Sequence, residues 1–402
     1  MSAFSLLIEI AALRRGLDAV AAALPGKTTV PIITHVKLEA NGPKLKLTAT
    51  DLDRAIEAEV AAIEVSGAIT LPGKALRDVL KRFNDGCQVA IASDGVSAQV
   101  KGGRGRARLP ALPAADFPPA PAPGEDAPEL VIDGKTLAGL LDGVAYAACT
   151  DLKARFYLCG VHLETIEADD GLRLRAVACD GFRLNWRDAP LISGAMVARP
   201  VIVPNETVAL ATKAAGAGGE ASIAFDAARF RLACAGVTLS SRLVDATYPD
   251  YRRVAPSAAD TPVLATIDRE QLARAIEAAL AVGTDKGRLI RIAIHEDRLV
   301  VDRDEGDYEV EMTIDAEAAA TDAHAAAFPY VVGVNGQYLA QTLAGVGGDT
   351  LDLRLLTGDR RLHVSLHGKG EDTSAYAIVM PQRLKPGSAR PDDDAASEKD
   401  AA

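Results

Sequence analysis

The sequence is poor in the residues that build metal, disulfide and redox sites. Five cysteines occur in 402 residues, and none of them has the Cys-x-x-Cys spacing that is typical of zinc and redox centres. The six histidines are scattered and form no His-Glu-x-x-His motif. We therefore expect reduced, buried thiols, no metal site and no cofactor.

Long apolar runs are also missing. The sequence has no stretch of about 18 apolar residues, the length that a membrane-spanning helix needs, so we expect no membrane contact. The N-terminal segment lacks a basic region and is interrupted by Glu9, which argues against a signal peptide. The expected location is the cytoplasm.

What the chain does contain is one pattern of elements in three copies. Each copy is predicted to begin with an apolar helix that follows an acidic residue, at Glu9, Asp133 and Asp268, which are 124 and 135 residues apart. A second helix is predicted to follow Pro72, Pro204 and Asn335, with spacings of 132 and 131 residues. Such an even register indicates three tandem domains of one fold.

Between the two helices of each copy lies a pair of strands with alternating apolar and polar residues. The first pair, 35–40 and 44–50, is joined by Asn41-Gly42, a strong hairpin signal. The others are 161–165 with 172–177, and 290–294 with 298–302. Alternation predicts antiparallel sheets with one buried face, and the amphipathic helices predict an α+β layer fold.

Proline-rich and polar segments suggest the domain boundaries. We expect domain 1 to span residues 1–124, domain 2 to span 125–256 and domain 3 to span 257–384. The first boundary falls in the proline-rich segment 113–128, and the second falls at 256–262. Residues 385–402 are polar and acidic without large apolar side chains, so we expect a disordered tail.

The net charge of −11 describes the whole molecule, whereas nucleic-acid binding depends on where positive charge gathers. Several predicted helices carry lysine and arginine, and equivalent helices that faced one way would give an acidic protein one basic face. The sequence has no helix-turn-helix or zinc finger, so any DNA contact should ignore base sequence. Asp51 and Asp180, 129 residues apart at matching strand ends, could mark an enzyme site, but their repetition favours a structural role in each domain.

Two segments give the chain a family resemblance. Ser241-Arg-Leu-Val-Asp-Ala-Thr-Tyr-Pro-Asp-Tyr-Arg-Arg-Val-Ala-Pro256 and Val379-Met-Pro-Gln-Arg-Leu384 resemble the signature and the closing motif of the bacterial DNA polymerase III beta subunit, the sliding clamp. Further matches in the same order as in the family are Pro31-Ile-Ile, Leu47–Leu52, Leu112–Pro118 and Ala178–Leu184.

The resemblance implies three clamp domains per chain, with antiparallel sheets outside and helices inside, and a head-to-tail homodimer that closes into a ring around double-stranded DNA. It implies a non-catalytic processivity factor that tethers the replicative polymerase and recruits replication and repair proteins. The implied partners are sequence-independent duplex DNA, the DNA polymerase III alpha subunit, the clamp-loader complex and other proteins with a clamp-binding motif.

The resemblance also carries over three sets of residues by position. The implied peptide-binding cleft comprises Leu158, Cys179, Gly181, Phe182, Arg183, Leu184, Pro249, Arg253, Val254, Ile378, Met380, Pro381, Gln382, Arg383 and Leu384. The implied DNA contacts are Lys27, Lys74, Lys81, Arg82, Lys153, Phe156 and Tyr157. The implied dimer interface includes Ala107, Leu109, Ala281 and Val282.

The chain departs from the family pattern at several cleft positions. Cys179, Phe182 and Gln382 replace the threonine, histidine and apolar residue that are common there, so we expect a different peptide preference. Two alternatives stay open at this point. One is a specialised clamp paralogue that serves a non-replicative or mobile-element polymerase, and the other is a three-domain enzyme with a site between domains.

Overall fold

A computed structural model describes residues 4–254, 263–282, 288–318, 329–355, 362–366 and 375–384. The predicted tail, 385–402, and the predicted boundary at 256–262 lie outside the described residues. The chain divides into two compact units. Unit 1 comprises Met1–Ala138 with Leu191–Asp245, and unit 2 comprises Gly139–Pro190 with Ala246–Ala402.

Unit 1 contains two antiparallel sheets. Their strands are β1 (Phe4–Glu9), β2 (His35–Asn41), β3 (Lys44–Thr50), β4 (Arg54–Ala61), β5 (Glu64–Ser66), β6 (Ala68–Pro72), β7 (Gln88–Ser93), β8 (Ser97–Gly102), β9 (Gly105–Pro110), β10 (Glu129–Asp133), β15 (Glu220–Phe225), β16 (Arg229–Cys234) and β17 (Val237–Arg242). Unit 1 also contains β14 (Val201–Pro204), which belongs to neither of these sheets. The sheet orders are β5-β1-β7-β8-β9 and β10-β15-β16-β17-β4-β3-β2-β6. Strand β9 therefore lies at one edge of the smaller sheet.

Unit 2 has a similar arrangement. Its strands are β11 (Gly160–Ala168), β12 (Gly171–Cys179), β13 (Arg183–Pro190), β18 (Val263–Asp268), β19 (Leu289–Ile294), β20 (Arg298–Asp304), β21 (Glu309–Asp315), β22 (Glu317–Ala318), β23 (Tyr330–Asn335), β24 (Thr350–Leu355), β25 (Leu362–Leu366), β26 (Ala375–Val379) and β27 (Pro381–Gln382). One sheet runs β11-β12-β13-β26-β25-β24-β18-β22, and the other runs β21-β20-β19-β23-β27. Strand β21 lies at an edge of the second sheet.

In the described residues, six α-helices begin where the sequence predicts. They are α1 (Ile10–Val20), α2 (Gly73–Leu80), α3 (Gly134–Ala145), α4 (Asn205–Ala215), α5 (Arg269–Leu280) and α6 (Gly336–Val346). Side-chain oxygens explain three of the starts, because Asp133, Asp268 and Asn335 accept hydrogen bonds from backbone N–H groups of the first helical turn. The prediction of a repeated helix pattern is confirmed.

The three predicted hairpins are confirmed as β2–β3, β11–β12 and β19–β20. Helices pack on sheets through the apolar stripes that the sequence shows. In unit 1, α1 packs on β3 and β4 with Leu13 and Leu17 fully buried, and in unit 2 α5 packs beside α6 with Leu272 and Ile276 fully buried. Burial of these side chains is the main stabilising contribution.

Candidate functional site

One carboxylate shapes the turn that joins β12 to β13. Asp180 Oδ1 accepts hydrogen bonds from the backbone N–H groups of Phe182 (2.9 Å) and Arg183 (3.0 Å). Its Oδ2 accepts one from Arg183 Nε (3.1 Å). Gly181 adopts φ of +88°, which favours glycine. The turn leaves the Phe182 ring 54% exposed.

A turn with the same hydrogen-bond pattern joins β3 to β4 in unit 1. Asp51 Oδ1 accepts hydrogen bonds from the N–H groups of Asp53 (3.1 Å) and Arg54 (2.7 Å), and Oδ2 accepts one from Arg54 Nε (3.0 Å). Asp51 and Asp180 therefore have the structural role that their spacing predicts. Both carboxylates that could have marked an enzyme site thus stabilise turns, which does not favour the enzyme alternative.

A surface with large apolar side chains lies beside the β12–β13 turn. The Met380 N–H donates to the Phe182 carbonyl (2.8 Å), which places these two exposed side chains on neighbouring chain segments. In register next to them, Leu184 on β13 lies opposite Ile378 on β26 and opposite Cys179 on β12. Leu184 and Ile378 are buried, so they form a floor beneath the exposed pair.

The equivalent position in unit 1 is polar. There the Arg242 N–H donates to the Asp53 carbonyl (2.8 Å), and the two side chains form an ion pair at 3.5 Å. Ser240 and Ala55 lie opposite each other where unit 2 has its two buried apolar residues. The surface beside the β12–β13 turn of unit 2 is therefore apolar, while the surface beside the β3–β4 turn of unit 1 is charged.

Arg183 is held rigidly under the apolar surface. Its Nη2 donates to the Tyr146 carbonyl (2.6 Å), and its Nη1 donates to Gln341 Oε1. Its guanidinium carbon lies 4.4 Å from the Tyr338 ring centroid and 5.0 Å from that of Tyr146. Burial raises the pKa of Tyr146 to about 12, so this hydroxyl stays protonated at neutral pH.

Tyr338 and Gln341, both on α6, are functional candidates that reasoning from the sequence missed. The Tyr338 ring lies 6.3 Å from the Phe182 ring, at the edge of the apolar surface. The contact recurs in unit 1, where the equivalent arginine, Arg54, pairs with Glu206 on the corresponding second helix, α4.

Two further segments border the apolar surface. Arg155 Nη1 donates to the Asp180 carbonyl (2.8 Å), which links the turn to the 3-10 helix Phe156–Leu158, whose Leu158 is buried. In the segment 246–254, Pro249, Arg253 and Val254 are exposed while Tyr248 and Tyr251 are buried. Burial and the neighbouring Cys179 raise the pKa of Tyr248, so a neutral phenol lies at this border.

Residues 381–384, the last four that the structure describes, lie against β23 rather than beside Phe182. Pro381 and Gln382 pair with Val334 and Gly333 of β23, and Leu384 is half-buried. A Cβ on Gly333 would lie 2.8 Å from a Leu384 methyl carbon, so Leu384 packs directly against β23. Arg383 is exposed. The structure thus joins Met380 to Phe182 but directs Leu384 towards β23.

The residues predicted to contact DNA are mostly exposed. In unit 1, Lys27 lies in an exposed loop, Lys74 lies in the first turn of α2, and Lys81 and Arg82 follow its end. Lys81 lies 3.6 Å from Asp78, an exposed pair of little energetic weight. Two other helix cations of unit 1, Arg14 and Arg77, form ion pairs with Asp85 and Asp18.

In unit 2, Lys153 is exposed and Phe156 is 50% exposed. The Phe156 and Tyr157 rings meet edge to face, with centroids 5.9 Å apart and planes at 82°. Tyr157 is half-buried and Phe156 is half-exposed, so part of this aromatic surface is accessible.

Two edge strands carry opposite charge. On β9, Arg106 and Arg108 are exposed, while Ala107 is half-buried and Leu109 is buried. On β21, exposed acidic side chains alternate with half-buried or buried apolar ones, and these acidic residues are Glu309, Glu311 and Asp315. Ala281 and Val282 follow the end of α5, where Ala281 is exposed and Val282 is half-buried.

The part of the chain that the structure describes contains no group of three or more His, Cys, Asp or Glu residues that could hold a metal ion. Within the same ranges, no helix is long and apolar enough to cross a membrane. The five cysteines, all of them in the described residues, form no disulfide. Burial raises the pKa of Cys159 to about 11 and also raises the pKa of Cys179, so these thiols are protonated at neutral pH.

Substitution of Gly181 tests the geometry of the β12–β13 turn. A Cβ there would lie 2.1 Å from Arg155 Nη1, in addition to the strain of φ +88°. We expect Gly181→Ala to lower the free energy of unfolding by about 2 kcal/mol in urea titrations. Gly86, with φ of +74° and open space around it, is the matched control and should cost roughly half as much. Equal losses would contradict the placement of Arg155.

Two family descriptions match successive parts of the chain. The family description "DNA polymerase III beta subunit, N-terminal domain" matches residues 4–121, and "DNA polymerase III beta subunit, central domain" matches residues 131–250. Together these matches cover more than half of the sequence.

Individual relatives extend the match along the chain. The beta sliding clamp of Caulobacter vibrioides strain NA1000 is 30% identical over 358 residues, which is 87% of this chain and 92% of that protein. The solved beta sliding clamp of C. crescentus has a TM-score of 0.84 at 27% identity, covering 95% of this chain and all of that one. A Pseudomonas aeruginosa sliding clamp bound to griselimycin gives the same TM-score, identity and coverage.

Proposed function

Because the chain belongs to the DNA polymerase III beta subunit family, the bacterial beta sliding clamps, we propose that two copies close head to tail into a ring around duplex DNA. The protein is a DNA sliding clamp of the replication machinery. It is a non-catalytic processivity factor, so its role is to tether a polymerase to DNA rather than to perform chemistry. Neither the enzyme alternative nor the specialised paralogue is favoured by relatives that are themselves beta sliding clamps.

The observation that carries the ring proposal is the opposite charge of two edge strands. Strand β9 of unit 1 exposes arginines, and strand β21 of unit 2 exposes carboxylates. An edge strand offers unpaired backbone groups to a second strand, and complementary charge selects the partner. Pairing of β9 in one copy with β21 in the other is a heterologous contact, which two copies can close.

The proposed dimer contact includes the four residues that the family resemblance implies, Ala107, Leu109, Ala281 and Val282. They would supply the apolar part of the contact beside the ion pairs. We further propose that each chain contributes three clamp domains, 1–124, 125–256 and 257–384, with antiparallel sheets on the outer wall and helices lining the hole.

We propose that the apolar surface beside the β12–β13 turn is the peptide-binding cleft. Exposed Phe182 and Met380 beside buried Leu184 and Ile378 form a surface that can receive apolar side chains of an extended peptide, and we assign the exposed Val254 to the same cleft. The remaining residues of the proposed cleft are Leu158, Cys179, Gly181, Arg183, Pro249, Arg253, Pro381, Gln382, Arg383 and Leu384. The griselimycin complex of the P. aeruginosa clamp supports a ligand site on this fold.

The proposed ligands of this cleft are the DNA polymerase III alpha subunit, the clamp loader and other proteins that carry a clamp-binding motif. All of them would compete for one surface. Exchange between them therefore requires modest affinity for each, which a short linear peptide in a shallow apolar groove provides.

Proposed DNA contacts come from both units. Lys27, Lys74, Lys81 and Arg82 in unit 1, with Lys153 in unit 2, would contact phosphates, while Phe156 and Tyr157 would offer an aromatic face. Phosphate contacts are blind to base sequence and weaken with salt. A ring with few such contacts is held on DNA by its topology, so it can slide.

A primer-extension assay tests the function. The chain is added to a primed single-stranded circle with a DNA polymerase III core and clamp loader from Caulobacter, together with excess unlabelled primed template as a trap. We expect the product made in one binding event to lengthen at least about tenfold, because tethering raises the effective concentration of polymerase at the primer end. Unchanged length, with the Caulobacter clamp active in parallel, would contradict the proposal.

A further inference from the structure

One wall of the proposed cleft has little backbone structure of its own. Within the segment 246–254, the regular element is the single 3-10 turn Tyr251–Arg253, and Pro249 and Val254, which flank it, are exposed. A segment held by so few backbone hydrogen bonds needs side chains to fix its position. Tyr248 and Tyr251 are those side chains, since both are buried in unit 2.

A row of charged residues across the sheet holds this turn. Glu164 on β11 lies opposite Arg175 on β12, which in turn lies opposite Asp188 on β13. Arg175 binds Asp188 through two hydrogen bonds of 2.6 Å. The Tyr251 hydroxyl closes the row, because it donates to Glu164 Oε1 (2.5 Å) and accepts from Arg175 Nη1 (3.3 Å).

Glu164 makes a second contact to the same turn. Arg252 Nη2 donates to Glu164 Oε1 (2.7 Å), and the Arg252 guanidinium carbon lies 4.9 Å from the Tyr251 ring centroid. His162, two residues earlier on β11, stacks on Tyr248 with ring centroids 4.7 Å apart. His162 and Glu164 on β11 thus contact the segment at Tyr248, Tyr251 and Arg252.

The Glu164 carboxylate is ionised throughout the physiological range. Burial acts to raise its pKa, but the neighbouring His162 and the hydrogen bonds from Tyr251 and Arg252 prevail and lower it to about 2. The Glu164 side chain is only 12% exposed, and because its carboxylate is ionised, the hydrogen bonds that it accepts are charge-assisted. Such bonds hold a loop more firmly than neutral ones.

We propose that Glu164 is a positioning residue for the peptide cleft: acting through Tyr251 and Arg252, it fixes the wall that carries Pro249, Arg253 and Val254. Glu164 lies on a strand of the sheet beneath the segment and acts on the ligand through this turn. The proposal rests on the cleft proposed above. It also gives a physical reason for the Tyr-Pro-Asp-Tyr-Arg-Arg-Val sequence, in which two tyrosines and one arginine serve this anchor.

The test measures the affinity and dissociation rate of a fluorescein-labelled peptide that spans the clamp-binding segment of a DNA polymerase III alpha subunit. We expect Glu164→Ala to raise Kd about tenfold, mainly through faster dissociation, because the wall becomes mobile. Glu164→Gln keeps an acceptor oxygen and should raise Kd only about threefold. Tyr251→Phe should weaken binding, and Glu164→Ala with Tyr251→Phe should bind as Glu164→Ala alone does.

A control separates positioning from general stability. Asp226 in unit 1 is a carboxylate that accepts hydrogen bonds from the backbone N–H groups of Gly124, Ala228 and Arg229, so Asp226→Ala should lower the melting temperature without changing the peptide Kd. An unchanged Kd in Glu164→Ala and Tyr251→Phe, with tight binding by the unsubstituted chain, would overturn this inference alone. Failure of the unsubstituted chain to bind the peptide would overturn the cleft proposal as well.

Discussion

A chain with Arg106→Glu and Arg108→Glu is expected to sediment as a monomer of 41.9 kDa at micromolar concentration, whereas the unsubstituted chain sediments at twice this mass. The two exposed arginines of β9 would become carboxylates that face Glu309 and Glu311 of the second copy. Like charges in contact cost several kcal/mol, so the dimer Kd should rise on the order of a thousandfold. Analytical ultracentrifugation over a concentration series measures the change.

The matched control is Arg229→Glu with Arg231→Glu, two exposed arginines with the same spacing on the interior strand β16. This variant should remain dimeric. Adding Glu309→Arg and Glu311→Arg to the β9 variant should restore the dimer, because the charges are then exchanged rather than lost. A β9 variant that stays dimeric, or a fourfold variant that stays monomeric, would contradict the β9–β21 contact.

Met380→Ala is expected to weaken peptide binding on the order of a hundredfold. Met380 is 42% exposed, so its truncation leaves no cavity in the core, but it removes half of the exposed apolar pair that it forms with Phe182. A central apolar anchor typically contributes about 2–4 kcal/mol to an interface. Fluorescence anisotropy with the labelled polymerase peptide measures the loss.

Met196→Ala is the control for this variant. Met196 is 52% exposed and lies in unit 1, so its truncation removes a similar side chain outside the proposed cleft. Peptide affinity should not change. If both methionine variants bind like the unsubstituted chain, the cleft does not lie beside Phe182, and the griselimycin complex of the P. aeruginosa clamp would have to be explained by another surface.

Local signals in the sequence predicted the elements well. Helix starts follow from capping chemistry: Asp133, Asp268 and Asn335 accept N–H hydrogen bonds that a first turn otherwise leaves unsatisfied. Hairpins follow from Asn41-Gly42 and from alternation. Both signals lie within a few residues of sequence, so a single chain reveals them without knowledge of its partners.

The use of charged side chains could not be predicted in the same way. Arg14 and Arg77 belong to the basic residues on the predicted helices, yet Arg14 binds Asp85 and the Leu80 carbonyl, and Arg77 binds Asp18 at 2.7 Å. These contacts join residues about 60 to 70 positions apart. Pairings of that separation depend on how helices pack, which charge patterning does not encode.

The candidate site shows the same division. Family motifs placed Phe182 and Met380 together, and the structure joins them through one backbone hydrogen bond. The role of Tyr338 and Gln341 on α6 could not be predicted from the sequence, because it depends on the position of that helix over Arg183. The role of Glu164 could not be predicted either, since an isolated glutamate on an alternating strand has the pattern of a solvated residue.

Retention on circular DNA tests the central claim most directly. The chain is loaded by a Caulobacter clamp loader with ATP onto nicked circular duplex, and the bound fraction is measured before and after a restriction enzyme linearises the circle. A closed ring predicts retention on the circle at moderate salt and release on linearisation, because only the topology holds it. Retention that survives linearisation but disappears with salt would mean simple electrostatic binding and would contradict the ring.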